Sequence, residues 1–441
     1  MSTHDAHLPT RDEILRASDR ALPKIAGTAS LVLTVIGVVV FVAGLFLAPD
    51  RVWRAFHHNW LFFASMSTAG VMFVAVQRIA TARWSRTIIR LLEGYVAFLP
   101  VAFVFLALSL FAGKNHIFPW TQTRPPVAEK VFYLDHGFLA ARDLVLFGLL
   151  CVLQLWYIYT SVRLDVGIVP EGGAGWARSL RDRMRRGYQE ERRELHSTHS
   201  IQGKLAVIMA VCFGYFWSVL SFDLSMALDM HFQSTLYGWW FFMTGWLAAL
   251  MSFSLLVMWW RKHLNAYDLI TEAHFHDLGK LCFAFTAFWG YLTFAQYLIM
   301  WFGNMGEETH FWRLRLIAPW KWMTFSVFIL VFVLPFFGLM SRAAKVFLPT
   351  FILFAVCSLV GTWFQRYGEV YPSLYGVIPH FPFGLWEIGV FALYLGSFGL
   401  CYFAFMDAFP RMRVFMLTSP YRDEVQVPVD PKTMEPLPAH E

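Results

Sequence analysis

The sequence predicts an all-α integral membrane protein with about ten transmembrane helices. Three observations carry that expectation. Of the 441 residues, 57% are hydrophobic and only 15% charged, whereas a soluble domain carries roughly 25% charged residues. Forty-five Phe and nineteen Trp need an apolar medium to face, and lipid supplies one. Ten apolar segments are also long enough, at ~1.5 Å per residue, to cross a ~30 Å hydrocarbon core.

Those segments run near 26–47, 60–80, 87–112, 137–160, 201–220, 236–260, 278–303, 321–341, 345–364 and 384–406. Three regions follow: an N-terminal segment 1–25, a membrane domain 26–406 and a Pro-rich polar tail 407–441, expected to be extended. With the N-terminus inside, the inner connections hold 24 Lys and Arg and the outer ones eight. That asymmetry predicts cytoplasmic termini, and an even number of spans agrees. The net charge of +6 follows from this topology and signals no nucleic acid. The first 25 residues are polar and mixed in charge, so no signal peptide is expected.

Taken in order, span 3 begins with Glu93 beneath Arg83, Arg86 and Arg90, where an ion pair is the favoured reading. Span 4 contains Asp143, with Gln154 and Tyr157 at +11 and +14 and therefore on one face. An acid above an amide and a phenol could relay protons, and an intramembrane acid defaults to a functional role. Pairing of Asp143 with Arg142 or another helix is the equal alternative. The basic loop 161–200 opens on a Pro/Gly break and then shows a helical pattern, suited to lipid headgroups or to a neighbouring subunit. The outer loop 221–235 carries Asp223, Asp229 and His231 with no Lys or Arg. It is too apolar to float free and is expected to pack on the membrane face as a proton exit or a partner contact.

Span 7 has titratable groups at both mouths. His274, His276, Asp277 and Lys280 stand at the inner mouth, with His276 and Lys280 at i,i+4 spacing. They form a proton antenna or an interfacial belt. Glu307 and Glu308 stand at the outer mouth. Between them Cys282, Thr286, Thr293 and Gln296 form a weakly polar stripe, read as helix packing or as the lining of a water wire. Five cysteines sit in apolar runs, with no CxxC, CxxCH or zinc spacing, so structural zinc, iron–sulfur and covalent haem are not expected. His57, His58, His116, His136, His231, His263 and His380 fall at or outside span ends, which argues against paired haem ligands.

The pieces ARWSRTIIRLLEGYVAFLP (82–100), EKVFYLDHGFLAARD (129–143), SFDLSMALDMHFQSTLYG (221–238), HFHDLGKLCFAFTAFWGYLTFAQYLIMWFGNMGEET (274–309), PFFGLMSRAAK (335–345) and GTWFQRYGEVYP (361–372) carry a resemblance. Across roughly residues 60–410 the chain resembles the second ten-helix membrane subunit, of the quinone-binding subunit family, of bacterial alternative complex III. That complex is a quinol:cytochrome c (or electron acceptor) oxidoreductase unrelated to cytochrome bc1. The resemblance implies two four-helix bundles plus two peripheral helices, the NrfD-like fold of polysulfide-reductase membrane subunits. It implies the bacterial inner membrane and no redox centre in this chain. Its partners would be a sister ten-helix subunit, haem c subunits, an iron–sulfur/molybdopterin-like peripheral subunit, lipid and the menaquinol or quinone pool.

The resemblance further implies a proton route of two half-channels, carried to Asp143, Asp223, Asp229, His231, His274, His276, Asp277, Lys280, Glu307 and Glu308. The sequence departs from the pattern at Gly306 (usually Pro), Leu224 and Phe232 (usually Trp), and Gln365 (usually an acid). Glu369, one turn on, replaces that acid if it faces the same way. Two other functions stay open. One is a quinone-binding anchor of the polysulfide-reductase type, an apolar slot with His231 or Asp143. The other is a secondary transporter, against which internal Gly and Pro are sparse apart from Pro100 and Pro335.

Overall fold

A computed structural model of the chain describes residues 11–18, 20–125 and 128–421. Among them there is no strand, and ten helices are long and apolar enough to span a membrane. They are α1 (Lys24–Leu47), α2 (Pro49–Ile79), α3 (Ile89–Phe111), α4 (His136–Ile168), α5 (Glu191–Leu224), α6 (Tyr237–Leu264), α7 (Glu272–Gly303), α8 (Trp320–Gly338), α9 (Leu348–Tyr375) and α10 (Leu385–Ala408).

Local chemistry sets several ends. Pro49 opens α2, where its missing N–H costs nothing. Asp135 caps α4 by accepting from the Phe138 amide at 3.0 Å. Asn265 and Asn304 close α6 and α7 in the left-handed conformation. Two spans are interrupted just before a proline. A 3-10 turn, Gly94–Phe98, precedes Pro100 in α3, and a π turn, Ile329–Val333, precedes Pro335 in α8. Proline deletes one ladder donor, and the neighbouring turn absorbs the mismatch.

The helix α2 is the hub. Its most apolar window is 94% buried, against 17% for α1 and 28% for α7. It packs on α1, α3, α4, α5, α6, α9 and α10. The helices α3, α4 and α5 follow one another around α2; α7, α8 and α9 follow one another, with α7 and α9 packed on α6. The helix α1 lies along α10. Small residues allow this close approach: a Cβ on Gly37 would sit 2.3 Å from the Leu393 backbone nitrogen.

Several bounds differ from the sequence expectation. The helix α2 starts eleven residues before 60, and α9 runs on past 364 to Tyr375. The loop 161–200 is mostly helical: α4 continues to Ile168, a short helix covers Arg178–Arg185, and α5 begins at Glu191. The first part of the tail is not extended. Arg411 and Arg413 point into the protein, and Val414–Thr418 is helical beside the short helix Arg11–Ser18. The remainder of the tail, from 422, lies outside the described residues. Both of these short helices lie on the face where α1 begins and α10 ends, called the basic face below.

Candidate functional site

The buried side of α4 carries polar groups from end to end: Asp143, Gln154, Tyr157, Ser161 and Asp165. Asp143 and Asp165 are 22 residues apart, about 33 Å along a helix, close to the ~30 Å thickness of a hydrocarbon core.

At the end away from the basic face, Asp143 touches Asp223 at the end of α5, and both are fully buried. Asp223 Oδ2 accepts from Arg142 Nε at 2.8 Å and pairs with its Nη2 at 2.7 Å. Arg142 therefore serves Asp223 rather than its own neighbour in sequence. No donor among the described residues reaches either Asp143 oxygen or Asp223 Oδ1. A carboxylate has no donor of its own, so one proton shared between the two carboxyls would close the contact. The Tyr133 hydroxyl adjoins the pair, and burial first, then the Asp223 charge, pushes its pKa up.

In the middle, Gln154 Nε2 donates to the Thr68 carbonyl at 2.9 Å, while its Oε1 has no donor among the described residues. Trp217 Nε1 donates to Thr68 Oγ1 at 2.9 Å. Between Asp143 and Gln154 the stripe is apolar: Phe147, Leu150 and Cys151.

At the basic end the charges close on one another. Arg90 donates to both Glu93 and Asp165, and Arg413 grips Glu93. Ser161 Oγ donates to Glu93 Oε1 at 2.8 Å, and the Phe415 amide donates to Asp165 Oδ1 at 2.7 Å. Burial acts to lower the Arg413 pKa, but the charge and hydrogen bond of Glu93, with Tyr157 and Asp165 nearby, together outweigh it and the net shift is upward. Glu93 is thus an ion-pair residue, with Arg413 as a second partner far along the chain. Asp165 lies beyond 160, the expected end of its span, because α4 continues to Ile168.

A second polar group lies on α9. Glu369 is buried and accepts from Arg366 (2.8 and 2.9 Å), Gln365 (3.1 Å) and Ser225 (3.2 Å). Ser225 also meets the Tyr237 hydroxyl at 2.7 Å. Gln365 and Glu369 therefore face the same way and touch. Gln365 also bonds Thr244 and Trp289. Arg315 donates to the Gly368 and Glu369 carbonyls, and burial brings its pKa down to about 10. A cavity of about 440 Å³ opens between α7, α8, α9 and the helix Gly306–Leu316, walled by Trp289, Tyr297, Trp312, Gln365 and Glu369.

The remaining residues of interest are dispersed. Asp229 is buried, 3.2 Å from His310 Nδ1, and accepts from the His231 amide; the His231 side chain is exposed. Lys130 donates to the Met230 and Phe232 carbonyls, and burial lowers its pKa against the pull of Asp229 and Glu307. Glu307 is exposed and Glu308 half-buried in the first turn of their short helix. His274 caps α7 through the Thr271 amide. Asp277 pairs with Lys280 at 2.6 Å on an open surface, which takes Lys280 from the expected stacking with His276. His276 is half-buried. In the α7 stripe, Cys282 meets Ser254, Thr293 accepts from Trp240 and Gln296 donates to Ser234, so three of the four bond neighbouring segments.

His57 and His58 lie inside α2 and fully buried, not at a span end. His57 Nε2 meets the Leu224 carbonyl at 2.6 Å, and His58 stands among Trp363, Tyr367 and Tyr371. No group of three or more His, Cys, Asp or Glu suited to a metal occurs among the described residues. No protein-family model matches this chain, and the search of curated proteins finds no match.

Proposed function

We propose that this chain is a ten-span subunit of a quinol-oxidising membrane complex of the alternative complex III kind. In this reading it is structural and carries a proton route, while haem c and iron–sulfur centres reside in partner subunits. It sits in a bacterial inner membrane with both ends in the cytoplasm. The helix neighbours support two four-helix bundles, α2–α5 and α6–α9, with α1 and α10 as the peripheral pair of an NrfD-like fold.

The observation that carries the route is the polar face of α4, which ends in buried acids on both sides. Quinol oxidation releases protons, and charge does not cross a dry ~30 Å core unaided. One half-path runs from the basic end of α4 past Tyr157 to Gln154, beside the closed cluster of Asp165 and Glu93 that holds the helices there. The other half consists of Asp223 and Asp143. Phe147, Leu150 and Cys151 separate the halves by 11 residues, about 16 Å of helix. A redox-linked movement or transient water is needed to join them, which suits a gated path and not an open leak.

The test is the intact complex in sealed vesicles with Asp143→Asn. Proton release per electron should fall while quinol-to-acceptor electron transfer continues. An unchanged proton-to-electron ratio removes the route and leaves the scaffold role.

A second reading, a quinone-binding anchor, draws on the 440 Å³ cavity with Gln365 and Glu369 in its wall. Its size suits a small ligand with few polar contacts. A photoreactive quinone analogue that labels Trp289 or Trp312 would favour it over the proton-route reading.

A further inference from the structure

The connection between α4 and α5 contains GWARSLRDRMRR, residues 175–186, with five arginines and one acid. A 3-10 turn, Gly175–Ala177, leads into the helix Arg178–Arg185, and Gly187, at φ +72°, turns the chain away after it. At ~100° per residue three faces separate. Ala177, Arg181 and Met184 make one, and it is buried. Trp176, Leu180 and Arg183 make the second, and Arg178, Asp182 and Arg185 the third; all six are exposed. Arg186 follows, also exposed.

The buried face fixes where the helix lies. Arg181 Nη1 donates to the Ala174 and Ala408 carbonyls, both at 2.9 Å, and Nη2 to the Gly173 carbonyl at 3.3 Å. The Ala174 amide donates to the Asp407 carbonyl at 2.7 Å. Ala408 ends α10, whose 24 residues measure about 36 Å, enough to pass a ~30 Å core and reach the headgroups. The helix is therefore held at the depth where a span leaves hydrocarbon. There Trp176 is 63% exposed and Leu180 42%. The Trp176 N–H is already given to Asp407 Oδ2 at 3.0 Å, so the part of the ring that faces outward is apolar. Beside them stand four cations. Among the described residues no carboxylate pairs with Arg178, Arg183, Arg185 or Arg186, and Asp182 is the one acid in the helix.

We propose that the segment 175–186 docks on the anionic phospholipid leaflet at the basic face. Trp176 and Leu180 enter the headgroup boundary, and the four free arginines meet lipid phosphates. At that depth headgroups are the medium around the protein. An indole and a leucine ringed by guanidinium groups match such a surface in polarity and in charge. A neighbouring protein subunit is the other occupant, and the experiment separates the two. The inference needs only that the ten helices cross a bilayer. It involves neither the proton route nor the cavity between α7 and α9.

The experiment uses the full chain in nanodiscs, one set of phosphatidylcholine alone and one with a minor fraction of phosphatidylglycerol. Hydrogen exchange of peptides covering 175–186 is followed by mass spectrometry, with peptides from α6 as the internal reference. The wild type should exchange more slowly with phosphatidylglycerol present, and added salt should remove the difference. One arginine near an anionic surface shifts docking by about fivefold. Arg183→Gln with Arg185→Gln should therefore lose most of the lipid-dependent protection. Leu180→Ser should exchange faster in both lipids, because its apolar contact does not depend on headgroup charge. All three side chains are exposed and stand outside the Arg181 anchor, so the fold is kept, which unchanged α6 peptides verify. Wild-type protection equal in the two lipids overturns the proposal, as does a double-arginine variant that keeps the full difference. Protection that appears only in the native complex, with 175–186 cross-linked to another polypeptide, assigns the surface to a subunit and overturns it as well.

Discussion

The basic end of α4 gathers two carboxylates, Asp165 and Glu93, with two arginines, Arg90 and Arg413. The opposite end gathers two carboxylates, Asp143 and Asp223, with one arginine, Arg142. All four acids are buried. At the basic end every carboxylate oxygen has a donor, whereas at the other end three of four have none among the described residues. A closed cluster fixes helices: it ties α3, α4 and the segment after α10 together, and losing or gaining a proton would break it. An open pair can gain or lose a proton without dismantling the packing around it. Equal burial therefore separates a fastener from a candidate carrier once the donors are counted.

The largest expected effect comes from opening the fastener. Glu93→Ala removes the carboxylate that Arg413 grips and one of the two that Arg90 bonds. Removing one partner of a buried pair costs about 3–5 kcal/mol, read as a lower unfolding midpoint in detergent. Glu93→Ala with Arg413→Met should recover part of that loss, because the stranded charge goes too. A loss below about 1 kcal/mol would erase the distinction between the two ends.

Next comes Arg142→Met, at about 1–3 kcal/mol, since Asp223 would lose the basic partner it has among the described residues. Stacking over Tyr133, 4.1 Å to the ring centre, is lost with it. If this variant matches Glu93→Ala in cost, the opposite end is a fastener as well.

Hydropathy made the ten spans legible, because length and apolar content alone mark a membrane helix. It failed where polar residues sit inside a helix and find partners far along the chain. Arg51, Arg54, His57 and His58 read as a loop before α2. In the fold, Arg51 pairs with Glu387 at 2.8 Å, Arg54 donates to the His116 carbonyl and His57 meets Leu224. Asp165 is illegible in sequence for the same reason, since its partners Arg90 and Phe415 are 75 and 250 residues away. Asp143 was legible because Gln154 and Tyr157 share its helical face, a local pattern. That Asp223 rather than Arg142 is its companion was not, because only the packing of α4 on α5 brings the two acids together. Gln365 and Glu369, four residues apart, could be placed on one face by spacing alone, and their contact follows from it.

Asp143→Asn should change stability by no more than about 1 kcal/mol in either direction. The substitution removes a buried acid that accepts from no donor among the described residues and supplies an amide N–H toward Asp223. Equal unfolding midpoints with a reduced proton-to-electron ratio would separate carrier from fastener in one variant. A loss near that of Glu93→Ala would place Asp143 among the structural charges.

The smallest effect belongs to the surface pair Asp277–Lys280 at the start of α7, whose side chains are 29% and 55% exposed. Exposed pairs contribute about 0–1 kcal/mol, because water screens them and holding long side chains costs entropy. Lys280→Gln should shift the midpoint by less than that, and added salt should remove the difference. The variant also separates two roles for this mouth. In a proton antenna, Lys280→Gln would slow proton uptake at low buffer concentration while stability stayed constant. In an interfacial belt neither quantity would move, and Lys280 would have no part in the route.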